Sequence, residues 1–128
     1  MHLTIDYYDY DLKKWTQYEC QDQEYSNGLC KFHLKEYAND GDNKRELIEL
    51  LKQKVTEANA LGLPLKWIGY QIPEISIRTK FKVHVYLNHA NFLDRVIFHG
   101  CTFEMNAHFS NTTFNGGADF DWAEPRVV

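Results

Sequence analysis

The sequence predicts a mainly β protein with one long helix, whose C-terminal part forms a short four-sided β solenoid. Three observations support this fold class. A bulky hydrophobic residue recurs at steps of six and five residues, and a small or β-branched residue stands two positions before each one. The same segment is rich in poor helix formers. A repeat of this kind fixes an architecture before any single residue is interpreted.

We call the bulky positions the ladder and the residues two positions earlier the small positions. The ladder consists of Phe81, Leu87, Phe92, Phe98, Phe103, Phe109, Phe114 and Phe120. The small positions are Thr79, Val85, Ala90, Val96, Cys101, Ala107, Thr112 and Ala118. Steps of five and six fit neither a helix nor simple strand alternation, so each step indicates one short extended side with both residues inward. Four such sides make a coil of 22 residues.

Three segments of the repeat carry a more specific signature. They are Ala90-Asn91-Phe92, Ala107-His108-Phe109 and Ala118-Asp119-Phe120. These segments resemble the A-(N/D)-F core of pentapeptide-repeat proteins, and the alternation resembles the variant in which every second repeat carries an extra residue. The resemblance covers residues 77–122 and implies a right-handed, four-sided β-helix. The alternative is an ordinary antiparallel sheet with chance Phe spacing.

The chain divides into three regions. Residues 1–40 are predicted to form a small module with Cys and His residues, which would be zinc-finger-like if metal binds. Residues 41–76 hold a capping helix and a connector, and residues 77–128 form the β-helix. The acidic and aromatic run at 7–11 indicates either an edge strand packed on the first module or a strand that docks a partner.

The clearest helix is predicted over residues 43–61. Asn43 with Glu46 three residues later is typical of a capping arrangement, and Gly62 is a typical helix stop. The apolar positions follow helical spacing and are Leu47, Leu50, Leu51, Val55, Ala58 and Leu61. We expect this face to cover the first module or an open end of the solenoid, because such an end exposes unpaired strand edges.

A group of Cys and His residues indicates a metal site in the first module. Cys30 and His33 form a Cys-x2-His pair, and Cys20 precedes them. Thiolate and imidazole suit Zn²⁺, which takes four ligands in a structural site, and His2 is the best upstream candidate for the fourth. A metal-free pair of buried thiols and a disulfide between Cys20 and Cys30 remain open alternatives. A zinc ion here would support folding, since residues 1–40 contain few aliphatic side chains.

A second resemblance bears on this module. Some pentapeptide-repeat proteins begin with a small Cys/His module that ends in Cys-x2-His and is followed by a charged helix and a Gly-Tyr…Pro segment. Cys30 to His33, the helix and the segment from Gly69 to Pro73 follow in that order here. That resemblance implies a Cys near the N-terminus, where this chain has His2.

Other chemistry-bearing residues form no consistent pattern. His84, His89, His99 and His108 stand at different distances from the next ladder residue, so we expect all four to be outward surface residues. Acidic residues in the repeat occupy different registers and are accompanied by no Ser or Cys nucleophile. No phosphate-binding glycine loop or dinucleotide fingerprint is present. The sequence therefore predicts no catalytic and no organic-cofactor-binding residue.

Composition narrows the function further. The 128 residues carry a net charge of −4, too mild to indicate nucleic-acid binding, and no apolar stretch approaches the length of a membrane span. With a polar, acidic N-terminus and three Cys, we expect a cytoplasmic protein. The leading hypothesis is a non-catalytic interaction or scaffold module with an unknown protein partner. Because the ladder spans under two coils, a homodimer through the open β-helix end is a further expectation.

Two alternative functions belong to other classes. The resemblance includes proteins that mimic DNA toward a topoisomerase, but residues 81–128 carry a net charge of only −2. A metal-dependent enzyme at the Cys/His group is the other alternative. A catalytic zinc keeps an open coordination position, and the sequence places no general base beside these ligands.

Overall fold

The structure is a computed structural model, and it describes residues 3–120. A hairpin comes first, formed by β1 (Thr4–Asp9) and β2 (Lys14–Glu19). A short 3-10 turn (Lys31–His33), the helix α1 (Lys35–Asn39) and the long helix α2 (Gly41–Leu61) follow.

The rest of the described chain contains eleven strands of two residues each, separated by corners. In chain order they are β3 (Leu65–Lys66), β4 (Gln71–Ile72), β5 (Ile75–Ser76), β6 (Lys80–Phe81), β7 (Val85–Tyr86), β8 (Asn91–Phe92), β9 (Val96–Ile97), β10 (Thr102–Phe103), β11 (Ala107–His108), β12 (Thr113–Phe114) and β13 (Ala118–Asp119). Strands this short, each followed by a corner, are the sides of a solenoid.

The strands stack in parallel on four sides, which confirms the four-sided β solenoid. The stacks are β3-β7-β11, β4-β8-β12, β5-β9-β13 and β6-β10. Val85 pairs with Ala107, so the second and third coils are offset by the predicted 22 residues. Leu65 pairs with Val85, an offset of 20 residues, so the first coil is shorter. The antiparallel alternative is thereby excluded for the repeat.

The parallel stack begins at Leu65, so it includes residues 65–76, which we expected to be a connector. Trp67, Ile72 and Ile77 occupy the ladder positions of this first coil, and all three are buried. The repeat was predicted to begin at Ile77, whereas Trp67 and Ile72 were missed because they are not Phe and do not keep the alternating step. The helices α1 and α2 pack beside β4 and β3, so this coil is bounded by helices on one side.

Inward placement of the ladder is confirmed by ring stacking along the axis. Phe81 stacks on Phe103 with centroids 4.8 Å apart, and Phe92 stacks on Phe114 at 5.1 Å. Phe98 stacks on Phe120 at 5.3 Å. The small positions from Val85 to Ala107 are buried. Each coil therefore adds a layer of rings, and such pairs contribute about 0.5–1.5 kcal/mol beyond their buried area.

The helix α2 begins at Gly41, two residues earlier than predicted. Its cap is Asp40, whose carboxylate accepts hydrogen bonds from the backbone N–H of Asp42 and Asn43, so the predicted Asn43 cap is wrong. Glu46 instead bonds to Lys31 and accepts from the Tyr37 hydroxyl.

The end of α2 and its buried face match the prediction in part. Gly62 adopts the left-handed conformation (φ 68°) and donates to the carbonyl of Ala58, as expected of a helix stop. Leu47, Leu51 and Val55 are buried. Leu61 is 69% exposed, so its assignment to the buried face is wrong; it is the last residue of the helix.

Near its C-terminus α2 satisfies the edge of the first coil. The Asn59 side chain donates to the carbonyl of Lys80 and accepts from the N–H of Lys82, both at 2.9 Å. The amide thus takes the place of a neighbouring strand beside β6. This confirms that the helix covers a solenoid edge, which otherwise would leave backbone groups unpaired.

We expect Asn59→Ala to lower the free energy of unfolding by about 1–2 kcal/mol, because both backbone groups lose their partner. Gln53→Ala, on an exposed position of the same helix, is the matched control and should change stability little. Urea unfolding followed by circular dichroism measures both. Equal losses in the two variants would show that Asn59 does not act as an edge cap.

The hairpin lies across the side formed by β3, β7 and β11. Tyr7 contacts the Tyr86 ring edge-on at 5.4 Å, and Lys66 Nζ lies 5.6 Å from the Tyr7 ring centroid. The N–H of Tyr10 donates to the hydroxyl of Tyr86 at 3.1 Å. The tyrosine-rich run therefore packs on the solenoid, and one of its four sides is covered by the protein itself.

Candidate metal centre

The end of β2 and the 3-10 turn bring the predicted metal ligands together. Cys20 directly follows β2, and its N–H donates to the carbonyl of Leu3 at 3.2 Å. Cys30 directly precedes the 3-10 turn, and His33 closes that turn by donating its N–H to the carbonyl of Cys30.

A tight turn at residues 26–29 precedes Cys30. Asn27 and Gly28 both have positive φ, 54° and 77°, and Ser26 bridges to Leu29. Two central residues with positive φ are typical of a tight hairpin turn that favours Asn-Gly. This turn reverses the chain after Cys20, so that Cys30 returns to the same place.

Cys20, Cys30 and His33 lie close enough to bind a metal ion. Their ligand atoms all lie within 4.8 Å of one another. The two sulfurs are 3.5 Å apart, and Cys30 Sγ is 3.0 Å from His33 Nδ1. All three residues are buried, with 3–5% of their surface exposed. The fourth predicted ligand, His2, lies outside the described residues.

The second ring nitrogen of His33 fixes the form of the imidazole. His33 Nε2 lies 2.9 Å from the carbonyl oxygen of Ile68. A carbonyl only accepts, so Nε2 carries the hydrogen, and the neutral ring then presents the lone pair of Nδ1 to Cys30 Sγ. A metal-binding histidine needs this arrangement, and a backbone carbonyl is a common partner for its other nitrogen.

Sequence reasoning missed the Ile68 carbonyl, since a backbone acceptor has no side-chain signature. The one trace is the next residue, Gly69, which has φ +70°. A Cβ at Gly69 would overlap Ile5 Cδ1 and lie 3.5 Å from His33 Cδ2. A larger residue at this corner would require the Ile5 side chain to move, so glycine favours the close approach to the imidazole and the hairpin.

Burial controls the protonation of the centre. Burial, followed by the hydrogen bond shared with Cys20, raises the pKa of the Cys30 thiol to about 12. Burial also lowers the pKa of His33. Without a metal, the hydrogens run in one direction, from Cys20 to Cys30 and from Cys30 to His33 Nδ1. A divalent cation held by these residues would replace the thiol hydrogens and balance the charge of the two buried thiolates.

Aromatic rings enclose the centre. Tyr70 meets the His33 ring edge-on at 5.0 Å and stacks on Phe32 at 4.9 Å, while Tyr18 lies 5.9 Å from His33. Burial raises the pKa of both Tyr18 and Tyr70. A groove of about 390 Å³ reaches Cys30 from the surface and is lined by residues 22–25 and 30–32. The three ligands are thus buried, and of them only Cys30 borders this groove.

Comparisons with known proteins give a match in the solenoid, which contacts the candidate metal centre. A family model described as pentapeptide repeats in nine copies matches residues 78–123. Residues 78–123 are pentapeptide repeats. No curated protein and no solved structure matches the chain. The first three strands of the solenoid lie before the matched segment, in agreement with their unusual ladder residues.

Two histidines of the pentapeptide repeats are not the surface residues that we expected. His108 is 2% exposed, so that prediction is wrong for this residue. Its ring is stacked between Tyr10 at 4.2 Å and Tyr86 at 4.8 Å, because the hairpin covers this side. His84 is partly buried, with Nε2 3.3 Å from an Asp11 oxygen. His89 and His99 are exposed, as predicted.

The buried His108 predicts a stability that depends on pH. Burial, followed by the charge of His84, lowers the pKa of His108 from 6.5 to about 4. The unfolded chain therefore binds a proton in a range where the folded repeat does not. Stability should fall as the pH decreases from 6.5 to 4, by up to about 3 kcal/mol for this group.

Urea unfolding at pH 7, 5.5 and 4 measures this effect. We expect His108→Phe, which keeps a ring in the stack, to have a flatter pH dependence than the original protein. His89→Phe, at an exposed position, should leave the dependence unchanged. Parallel profiles for His108→Phe and the original protein would contradict the assignment.

The described part of the chain contains no helix with both the length and the apolar character needed to cross a membrane.

Proposed function

We propose that this chain is a cytoplasmic, non-catalytic protein-interaction module, in which a right-handed pentapeptide-repeat β-helix is joined to a zinc-finger-like N-terminal module. Pentapeptide repeats fit a non-catalytic repeat scaffold. One observation suggests where a partner binds. Among residues 3–120, β11 and β12 each pair with a strand on one side only. The far end of the stack is therefore the surface on which another strand layer fits.

Packing of the last coil supports this location. Phe109 and Phe114 are only partly buried, whereas Phe81 and Phe92 of the earlier coils are fully buried. Ala118 is exposed, although its equivalent one coil earlier, Val96, is completely buried. Inward positions of this coil thus retain apolar surface that an added layer would cover.

An amide ladder on one corner points the same way. Asn91 donates to the side-chain oxygen of Gln71 at 2.9 Å, and Asn115 donates to the side-chain oxygen of Asn91 at 2.7 Å. In each case the side-chain amide of one coil donates to the side-chain oxygen of the coil before it. These hydrogen bonds continue up to the last coil. We propose that the occupant is a second copy of this chain, because a two-fold axis places the same strands and rings against each other.

Size-exclusion chromatography with light scattering tests this proposal. We expect twice the chain mass of 15.1 kDa for the original protein. Ala118→Lys, which places a charge on the coil end, should give a monomer. Glu74→Lys, at an exposed position of the first coil and away from that end, is the control and should remain a dimer. A monomer at every protein concentration, up to about 100 times that of the first measurement, would refute self-association.

We further propose that the Cys/His cluster holds a structural Zn²⁺ through Cys20, Cys30 and His33 Nδ1, with His2 as the fourth ligand. Two sulfurs and one imidazole nitrogen are the donors that Zn²⁺ prefers. The Leu3 carbonyl accepts from Cys20, so the chain passes the cluster one residue after His2. His2 directly precedes Leu3 in the sequence and is the upstream candidate for the fourth ligand.

A further inference from the structure

We propose that Cys20 and Cys30 also form a reversible disulfide, so that the candidate metal centre has an oxidised state without metal. Disulfide formation depends on the two thiols alone. The release of a metal on oxidation rests on the proposed zinc site.

The geometry of the two sulfurs favours this reaction. They are 3.5 Å apart in the reduced protein, and a disulfide bond is about 2.05 Å long, so they need to approach by about 1.5 Å. The segment between them, residues 21–29, contains only one isolated bridge, between Ser26 and Leu29. A segment with so little regular structure accommodates a small movement at low cost.

Access distinguishes this pair from the third cysteine. Cys30 borders the groove of about 390 Å³, which is large enough for a small hydroperoxide. Cys101 is fully buried at a small position of the solenoid, where its thiol donates to the carbonyl of Ile77 at 3.0 Å. The chain has three cysteines, so Cys20 is the near partner of Cys30. Oxidation should therefore be selective.

The reaction balances with a hydroperoxide as the oxidant. The Cys30 sulfur attacks the outer peroxide oxygen, the O–O bond breaks, and the alcohol or water leaves with the thiol hydrogen, which gives Cys30 sulfenic acid. The Cys20 sulfur then attacks the Cys30 sulfur and expels water. In sum, two thiols are oxidised by two electrons, and one hydroperoxide is reduced to an alcohol (or water) and one water.

Oxidation of the two cysteines affects the fold and the metal differently. The disulfide joins the end of β2 to the start of the 3-10 turn, which is the same connection that a metal bound by both sulfurs provides. The hydrogen bond of His33 to the Ile68 carbonyl involves neither sulfur, so disulfide formation does not require it to break. Oxidation thus removes the metal ligands while it preserves the link between hairpin and helices. The site changes its metal content and keeps its architecture.

Peptide mapping by mass spectrometry after hydrogen peroxide treatment tests the proposal on the full chain. We expect one cross-linked peptide that contains Cys20 and Cys30, reversed by dithiothreitol, with Cys101 still alkylated after denaturation. Cys101→Ala should form the same cross-link, and Cys20→Ser should not. Sulfinic or sulfonic acids, or links between chains in place of this cross-link, would overturn the proposal.

Metal analysis in the same experiment separates the two proposals. Zinc-loaded protein should release its zinc to a chromogenic chelator in step with cross-link formation. Protein stripped of zinc beforehand should form the cross-link as well. A cross-link in protein that never binds zinc would uphold the disulfide and refute the zinc site, whereas bound zinc without any cross-link would do the reverse.

Discussion

Replacing Phe98 by alanine is expected to lower the free energy of unfolding by about 3–5 kcal/mol, the usual cost of deleting a buried aromatic ring. Phe98 is 2% exposed and lies at the centre of the ladder. Its ring stacks on Phe120 at 5.3 Å and meets Phe103 edge-on at 6.0 Å. Side chains of the neighbouring layers pack on both sides of this ring. The cavity that remains after its removal therefore cannot close easily.

The matched control is Phe109→Ala, at a ladder position of the last coil that is only partly buried. We expect it to cost clearly less than Phe98→Ala, since less area leaves water on folding. Urea unfolding followed by circular dichroism gives both values. A loss below about 1 kcal/mol for Phe98→Ala would contradict its axial role.

The ladder could be predicted because a parallel stack imposes its offset on the sequence. Each side needs one bulky and one small inward residue, so the second and third coils repeat in the letters themselves. The first coil could not be predicted, because Leu65, Tyr70 and Ile75 stand where later coils have smaller residues. Helices pack at this end, and they relax the requirement that a neighbouring coil imposes.

For the candidate metal ligands too, one part could be predicted from the sequence and another part could not. The Cys-x2-His spacing identified Cys30 and His33, because a turn of that length presents both side chains to one point. The hydrogen bond to the Ile68 carbonyl had no signal of its own, since it depends on how the solenoid corner meets the hairpin. Chelating spacing is local in the chain, while the groups that orient a ligand come from distant segments.

His108 illustrates a different limit of sequence reasoning. Its position next to Phe109 placed it correctly on the outside of the solenoid. Whether an outward residue meets water depends on what else lies on that side. The Tyr10 ring that stacks on it belongs to a segment 98 residues earlier in the chain. No periodicity within the repeat contains that information.

Removing zinc with a chelator is expected to destabilise the N-terminal module by about 4 kcal/mol, compared with protein at free zinc a thousandfold above the dissociation constant. Cys20 directly follows β2 and Cys30 directly precedes the 3-10 turn, so the proposed ion would tie together segments with few aliphatic contacts of their own. Unfolding in urea with zinc or with chelator measures the difference. Cys30→Ser should abolish it, and Cys101→Ala should retain it.

Hydrogen exchange locates the effect within the molecule. The solenoid is held by backbone pairing and ring stacks that contain neither Cys20 nor Cys30, so amides such as those of Leu93 and Glu104 should stay protected in chelator. The Cys20 amide, bonded to Leu3, should lose protection. Identical exchange with zinc and chelator, or no zinc in protein purified under reducing conditions, would refute the metal site. Equal loss of protection in the N-terminal module and in the solenoid would show that the solenoid itself depends on the metal. The first coil contacts the candidate metal centre through the Ile68 carbonyl.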